Sequence, residues 1–554
     1  GGSVGADYLF AFPDDDVFLG ARDMPLVTVG NLGNDDTAQR EQAAYWIGKE
    51  LGIPYLYRRF VQFYVNGNRK GSVYEDTEEP NGQFIAGWFP DDAEGDLHKI
   101  EDWFEFDDNA SGFSNVDATL QKFTTTGGVL KLARYRWDLR KRAVQDSASN
   151  YTNLFNLVNA VNLADSTYTA QVENLVDLEQ WMRNFALQHM VGNWDAYGYS
   201  RGKNMYAYKP INGKWALMAW DIDFVLGLSS DGPSSDVFGA NDPTVTRMYS
   251  HPPFQRAYWR AFQDAVNGPL RNERIDPIMD ARCQGLRANG ITVTDPAAIK
   301  TWIASRRNYL LSRLNSLNAN FAITSNNGNN FSTNKSTATL TGTAPIAVKT
   351  IEINGVAYPV TWTGVTTWSL SLPLAGRTNS LTFQGYDLRG KPIAGVSDTI
   401  TVTFTGTSQQ PENYLVINEI MYNPVTPETA FIEIHNTSTV SAFDLSNFRL
   451  EGVGFTFPEG VVLNANNYLV VAKNRTEFAK AYGLTVLPVG EFPGQLDNGG
   501  ETLRLVRPGA TPEEDTLIDE VRFDDDPPWP DLADGKGPSL QLIDHFQDNY
   551  RVGN

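Results

Sequence analysis

Cysteine is all but missing from this chain of 554 residues. Cys283 stands alone in a stretch with helical apolar spacing, so no internal disulfide can form, the thiol reads as a small core residue, and the redox compartment stays undetermined. Histidine is nearly as scarce, with five residues, no two of them at metal-ligand spacing, and each reads as structural or solvent-facing. Positive charge is in deficit: 45 Lys plus Arg stand against 66 Asp plus Glu, a formal charge of -21. That balance disfavours nucleic acid and anionic membrane as partners, because both select a basic surface. There is no run of about 18 apolar residues, hence no transmembrane segment in the sequence. No signal peptide is visible either, and the chain opens GGSVGADYLF with no initiator methionine, which suggests a processed product and leaves export open.

Length and composition set the scale of what is present. The chain is too long for one hydrophobic core and suggests about three domains, and a hydrophobic fraction of 41% with 12% aromatics argues for packed globular units rather than disorder.

The stretch Asn193 to Gly227, NWDAYGYSRGKNMYAYKPINGKWALMAWDIDFVLG, carries most of the chemistry. Before it, Leu175, Leu178, Met182, Phe185 and His189 recur at three- and four-residue steps, which predicts an amphipathic helix over Val172 to Met190 that delivers Asp195 at its exit. Gly198 and Gly202 mark a loop, Met205 to Lys209 reads as a strand, Asn212-Gly213 as a two-residue hairpin turn, and Trp215 to Trp220 as the returning strand. Asp221 and Asp223 then sit at a strand end with Asn204 on the partner strand. Two carboxylates one residue apart and a side-chain amide form an all-oxygen site suited to magnesium or manganese. Asp195 stands apart as a base or orienter. Phosphoryl transfer divides its labour in this way, with metal ions neutralising phosphate charge while a separate aspartate attends to the hydroxyl proton. The competing reading is ordinary turn chemistry, in which Asp and Asn beside Gly merely shape loops.

The motifs NWDAYGY, KNMYAY and KWALMAWDID, in that order, resemble the core signature of the CotH family, the spore-coat-type atypical protein kinases. The resemblance covers roughly residues 23 to 318. It implies a divergent two-lobed α+β protein-kinase fold and transfer of the ATP gamma-phosphate to protein serines with magnesium. By motif, Asp195 corresponds to the family's catalytic aspartate, Asp221 to its metal-binding aspartate, Asn204 to the intervening Asn, and Asp223 to a position that is commonly acidic or amide.

Upstream, Asp35-Asp36-Thr37 reads as the cap of a helix to Leu51, and Arg58 to Val65 and Gly71 to Tyr74 as strands around Asn66-Gly67. The block PYLYRRFVQFYVNGNRKGSVYEDTEE resembles the family segment that ends in a glutamate, here Glu78, and GDLHKI resembles the strand that follows, here with Lys99. A kinase needs a lysine to hold the nucleotide phosphates and a glutamate to orient it, so Lys99 and Glu78 are the candidate ATP-binding residues. The family's Arg-Gly-x-Ser element and lysine-rich strand do not occur before Asp35. Asn109 to Lys122 reads as a loop or insertion, Leu130 to Lys141, Tyr151 to Val161 and Pro253 to Leu317 as helical, and Ser229 to Tyr249 as a turn-rich segment.

After Asn320 the pattern changes to short β-type runs at close spacing. Residues 322–407 read as an immunoglobulin-like sandwich, and residues 408–554 resemble the lamin-tail domain, an immunoglobulin-like accessory module of secreted and surface bacterial proteins. The motifs that carry the second likeness are Asn418-Glu419, Phe431-Ile432-Glu433, Leu496 to Glu501, and Trp529-Pro530 before Gly535-x-Gly537-x-Ser539-Leu540. Asp524 to Asp526 read as a solvated turn, with calcium as the alternative. The expected architecture is thus a kinase-like domain over residues 1–321 followed by two all-β sandwiches. The expected product is secreted or displayed at the cell surface, with ATP and a serine-bearing protein as substrates and an envelope partner for the β modules. Two other readings compete: an inactive kinase-like surface-assembly or adhesion protein acting through its sandwiches, and a metal-dependent phosphohydrolase.

Overall fold

In the computed structural model, residues 7–29, 34–106, 113–143, 148–164, 166–550 and 552 are described. The first helix, Arg40–Glu50, shows how a short polar run sets a boundary. The Asp35 carboxylate accepts the amides of Thr37 (3.1 Å), Gln39 (2.9 Å) and Arg40 (2.9 Å), satisfying donors that a helix start leaves open, and pairs with the Arg40 guanidinium. Ala43, Ala44 and Ile47 of this helix are buried. A four-stranded antiparallel sheet belongs to the same lobe, in the spatial order Tyr8–Ala11, Asp23–Thr28, Asn68–Thr77, Arg58–Val65. Asn66 and Gly67 turn its last hairpin with positive φ at both positions, as a two-residue turn requires.

A second sheet, ordered Ala216–Ala219, Met205–Lys209, Asp96–Ile100, Leu139–Ala143, lies with the helical lobe. The helices Leu178–Val191, Pro252–Asn267, Asn272–Ala288 and Ala297–Asn315 build that lobe, with Met182, Phe185, Phe254, Tyr258, Phe262 and Ile303 in its core. One α+β two-lobed body results, as the kinase-like resemblance implies.

Four sequence expectations change here. The helix expected over Val172 to Met190 is two helices, Tyr168–Leu175 and Leu178–Val191. The break occurs because Trp215 exchanges backbone hydrogen bonds with Leu175 and Asp177, while the Asp177 side chain caps the amide of Gln180 at 3.2 Å. The hairpin turn is longer than Asn212-Gly213, since Lys209 and Ala216 end the two strands. Pro210 cannot donate to a ladder. The loop is held instead by Asp92, which accepts the amides of Ile211 (2.7 Å) and Asn212 (2.8 Å), and by the Lys209 ammonium on the carbonyls of Pro210 (2.5 Å) and Gly213 (2.7 Å). The helix expected from Leu130 to Lys141 stops at Asp138 and becomes the strand Leu139–Ala143, which pairs with Asp96–Ile100. The loop expected over Asn109 to Lys122 includes a strand, Phe113–Val116, paired with Trp103–Phe106; its first four residues lie outside the described ones.

The chain divides into two compact units, Gly1–Ala164 with Val172–Leu317, and Asp165–Gln171 with Asn318–Asn554. In the second unit, two four-stranded sheets enclose a core of Leu340, Ile351, Trp368, Phe383 and Val402 between Ala322 and Phe404. Further sheets of five, four and two strands enclose Ile432, Leu445, Leu450, Val471 and Leu505 between Leu415 and Gln541. Alternation along these strands does not foretell one helix, Arg475–Tyr482, which Asn474 caps through the amides of Thr476 and Glu477.

His189 gives the first unit a pH signature. It is fully buried, and burial lowers its pKa from 6.5 to about 4. The unfolded chain therefore takes up a proton below about pH 6.5 that the folded chain refuses until about pH 4, so this contribution to stability is lost as pH falls through that window. In urea titrations from pH 7 to pH 4, we expect wild type to lose up to about 3 kcal/mol more than His189→Gln. Parallel curves for the two proteins would rule the assignment out.

Candidate active site

The Leu178–Val191 helix ends at Gly192, which has φ +71, and Asn193 donates its amide to the Gln188 carbonyl at 2.8 Å. The chain thereby leaves the helix with Asp195 buried at its exit. The loop that follows is folded tightly on itself, with the Tyr197 amide on the Lys203 carbonyl at 2.7 Å. Two glycines are obligatory in it. A Cβ on Gly198, at φ +89, would lie 2.2 Å from the Phe185 ring, and one on Gly202 would lie 2.3 Å from the Ala118 amide nitrogen.

This loop brings three of the sequence-derived candidates together, Asp195, Asn204 and Asp221. Asn204 donates from Nδ2 to the Asp195 carbonyl (2.8 Å) and to Asp195 Oδ2 (3.3 Å). Its own carbonyl accepts the Trp220 amide at 3.3 Å, which sets Asp221 across the hairpin base from Asn204. Asn204 and Asp221 both have left-handed backbone, φ 57 and 53, a conformation that Asn and Asp tolerate better than most residues. Lys203 forms an ion pair with Asp195 Oδ2 at 3.0 Å, whereas Asp195 Oδ1 is buried with no hydrogen-bond partner.

Electrostatics in the cleft are dominated by acids. Asp221 keeps part of its surface exposed, yet burial among its neighbours raises its pKa against the pull of Arg58, with the Asp195 charge adding to the rise and Lys203 and Lys99 opposing it. Asp223 is pushed up to about 7, first by burial and then by the charges of Asp221 and Asp195. Burial likewise holds the Glu41 carboxyl well above its usual range, assisted by Glu75, Asp221 and Asp223 and opposed by Arg58.

Lys99 stands on the strand Asp96–Ile100 opposite Tyr206, close enough to Asp221 for its charge to be felt there, and its ion partner is Glu101 at 3.1 Å. Glu78 is placed elsewhere: its carboxylate accepts the Tyr57 amide at 2.8 Å. The buried acid-base bridge of this lobe is a different one, Arg58 between Glu41 (2.5 Å) and Glu75, with the guanidinium 4.8 Å over the Tyr45 ring. Sequence reasoning missed Glu41, Arg58, Glu75 and Lys203. A signal for Arg58 was available, because it shares a strand face with Phe60 and so occupies a core-facing position.

Asp524, Asp525 and Asp526 bring carboxylate oxygens within 4.8 Å of one another. Asp524 accepts the Asp526 amide at 3.0 Å, which is turn chemistry.

An all-oxygen donor set suits a hard cation, and mutual repulsion among its acids, together with the unpartnered Asp195 oxygen, gives such an ion something to relieve. The residues therefore fit magnesium or manganese beside nucleotide phosphates. Fold and cleft together are those of a two-lobed kinase-like protein. Residues 13–310 match the family described as CotH kinase protein, more than half of the chain, and residues 408–525 match the Lamin Tail Domain. The chain belongs to the CotH kinase family and carries a lamin-tail module. No curated protein matches the sequence. Among the described residues, no helix is long and apolar enough to cross a membrane.

The Arg58 bridge supplies a stability test. Side-chain exposures of 7% for Arg58 and 3% for Glu75 leave little water to replace a lost partner. Removing one member of a buried pair strands the other charge, so Arg58→Met should destabilise the first unit by about 3–5 kcal/mol. Urea unfolding of the full chain measures this, and a loss under about 1 kcal/mol would show the bridge to behave as a surface pair.

Proposed function

We propose that this chain transfers the terminal phosphoryl group of ATP to serine hydroxyls of protein substrates, with magnesium or manganese, outside the cytoplasm or at the cell surface. The observation that carries the reading is the convergence of Asp195, Asn204 and Asp221 at one hairpin base, with one oxygen of Asp195 buried and unpartnered. Asp221 and Asn204, with Asp223, would hold the metal, which would supply neutralisation of charge on the nucleotide phosphates. Asp195 orients the serine hydroxyl and receives its proton as the oxygen attacks the terminal phosphorus and ADP departs, and Lys203 holds the carboxylate in place through its ion pair with Oδ2. Lys99 is the candidate phosphate contact from the neighbouring strand. Localisation rests on the lamin-tail and immunoglobulin-like modules, which are also the candidate surfaces for an envelope partner.

A second reading, an inactive kinase-like protein that assembles or adheres through its β modules, is favoured by the pairing of Lys99 with Glu101 and the placement of Glu78 away from it. Paired variants decide between the two. Asp221→Ala should weaken metal-linked nucleotide binding, because a charged ligand acts on the bound ground state. Asp195→Ala should preserve binding and lower transfer by about 10²- to 10⁴-fold. Calorimetry with magnesium-ATP and phosphate incorporation into a serine-bearing protein are the two measurements. Wild type without metal-linked nucleotide binding would establish the second reading.

A further inference from the structure

Asp242 is fully buried, and its carboxylate makes four hydrogen bonds. Oδ1 accepts the Thr244 amide (2.8 Å) and hydroxyl (2.9 Å), which is the N-cap of the helix Pro243–Ser250. Oδ2 accepts the Leu120 amide (2.8 Å) and the Tyr197 hydroxyl (2.9 Å). Among the described residues no cation lies within ion-pair distance of it. A buried carboxylate met only by neutral donors is costly, and helix capping does not require one, since asparagine caps as well. The second oxygen has a separate task.

That task is visible in where its two donors come from. Leu120 belongs to the segment whose Asp117 accepts Arg201 Nε (3.0 Å) and the Gly202 amide (2.9 Å), and whose Ala118 amide donates to the Gly202 carbonyl (3.1 Å). Tyr197 lies two residues beyond Asp195 and closes the loop onto Lys203, the ion partner of Asp195. Next to Asp242, the Asn241 amide donates to the Tyr199 carbonyl at 2.8 Å. Two chain segments, 117–120 and 241–242, thus fasten the Asp195–Asn204 loop, and the Asp242 carboxylate joins the loop to the other segment.

We propose that Asp242 is a positioning residue for Asp195, acting through Tyr197, so that the start of the helix Pro243–Ser250 and the loop that carries Asp195 move as one piece. The proposal rests on the kinase reading for its effect on turnover, but not for its effect on the loop.

Tyr197→Phe is the mild test, since it deletes one donor and keeps the ring against Phe185. Asp242→Asn is the stronger one, because the single amide oxygen can serve the Thr244 pair of donors or the Leu120 and Tyr197 pair but not both, and the NH2 group that replaces the other oxygen meets donors. In both full-length variants we expect faster amide hydrogen exchange over residues 194–204 with the Leu178–Val191 helix unchanged, and magnesium-ATP affinity within about twofold of wild type. Turnover should fall about tenfold in Tyr197→Phe and on the order of 10²-fold in Asp242→Asn, the scale of a small misplacement of a reacting group. Unchanged exchange in Tyr197→Phe overturns the proposal and leaves Asp242 an ordinary cap. Faster exchange with full turnover overturns it too, because the loop would then move without moving the chemistry. If wild type transfers no phosphate, the kinase reading fails, and the exchange measurement alone decides the positioning role.

Discussion

Like charges crowded at the end of one hairpin are the constraint to which the rest of the first unit responds. The Asp195 charge is felt at Asp221, both are felt at Asp223, and Glu41 from the other lobe feels Asp221 and Asp223 as well as its neighbour Glu75. Arg58, Lys203 and Lys99 answer from three different elements. Arg58 belongs to the small-lobe sheet and its field reaches Asp221 in the helical lobe, so charge compensation also ties the lobes together across the cleft. Burial first, and like charge after it, keeps the Glu41, Asp221 and Asp223 carboxyls protonated to higher pH than usual, and a divalent ion would relieve the part that is like charge.

Features written into local sequence were the legible ones. Period-two alternation marks the β modules, the Asn66-Gly67 turn is a backbone demand that few residues meet, and the aspartate spacing around the hairpin is a statement about one strand end. Features decided by distant partners were not legible. The helix before Asp195 looks continuous until Trp215, about 40 residues later, inserts its backbone beside Asp177. The hairpin turn looks like two residues until Asp92, more than 100 residues earlier, is found accepting its amides. Glu41, Arg58 and Glu75 each resemble surface charge in sequence; only the sheet register and the helix seated on it make them a buried bridge.

The second unit uses a different means of holding shape. Its two sandwiches meet through the Tyr358 hydroxyl on Asp444 (2.5 Å) and the Ser336 hydroxyl on the Val440 carbonyl (2.7 Å). Gly460 lies so near that a Cβ there would fall 2.3 Å from the Ala357 carbonyl oxygen. Such a joint restricts hinge motion between modules that composition alone presents as beads on a polar linker.

The left-handed backbone at Asn204 and Asp221 separates the ancestry of the motif from its activity. Both positions favour Asn, Asp and Gly on conformational grounds, whatever chemistry takes place beside them, although Leu19, Ala38, Leu226 and Glu428 adopt the same backbone elsewhere in the chain. A lineage that had given up phosphoryl transfer would still be under pressure to keep these two residues in order to fold the hairpin. Asp195 is not among the residues with left-handed backbone and is held instead by its side chain, through Lys203 and Asn204. The residues at 204 and 221 therefore answer to backbone geometry as well as to chemistry, and their presence alone does not report activity.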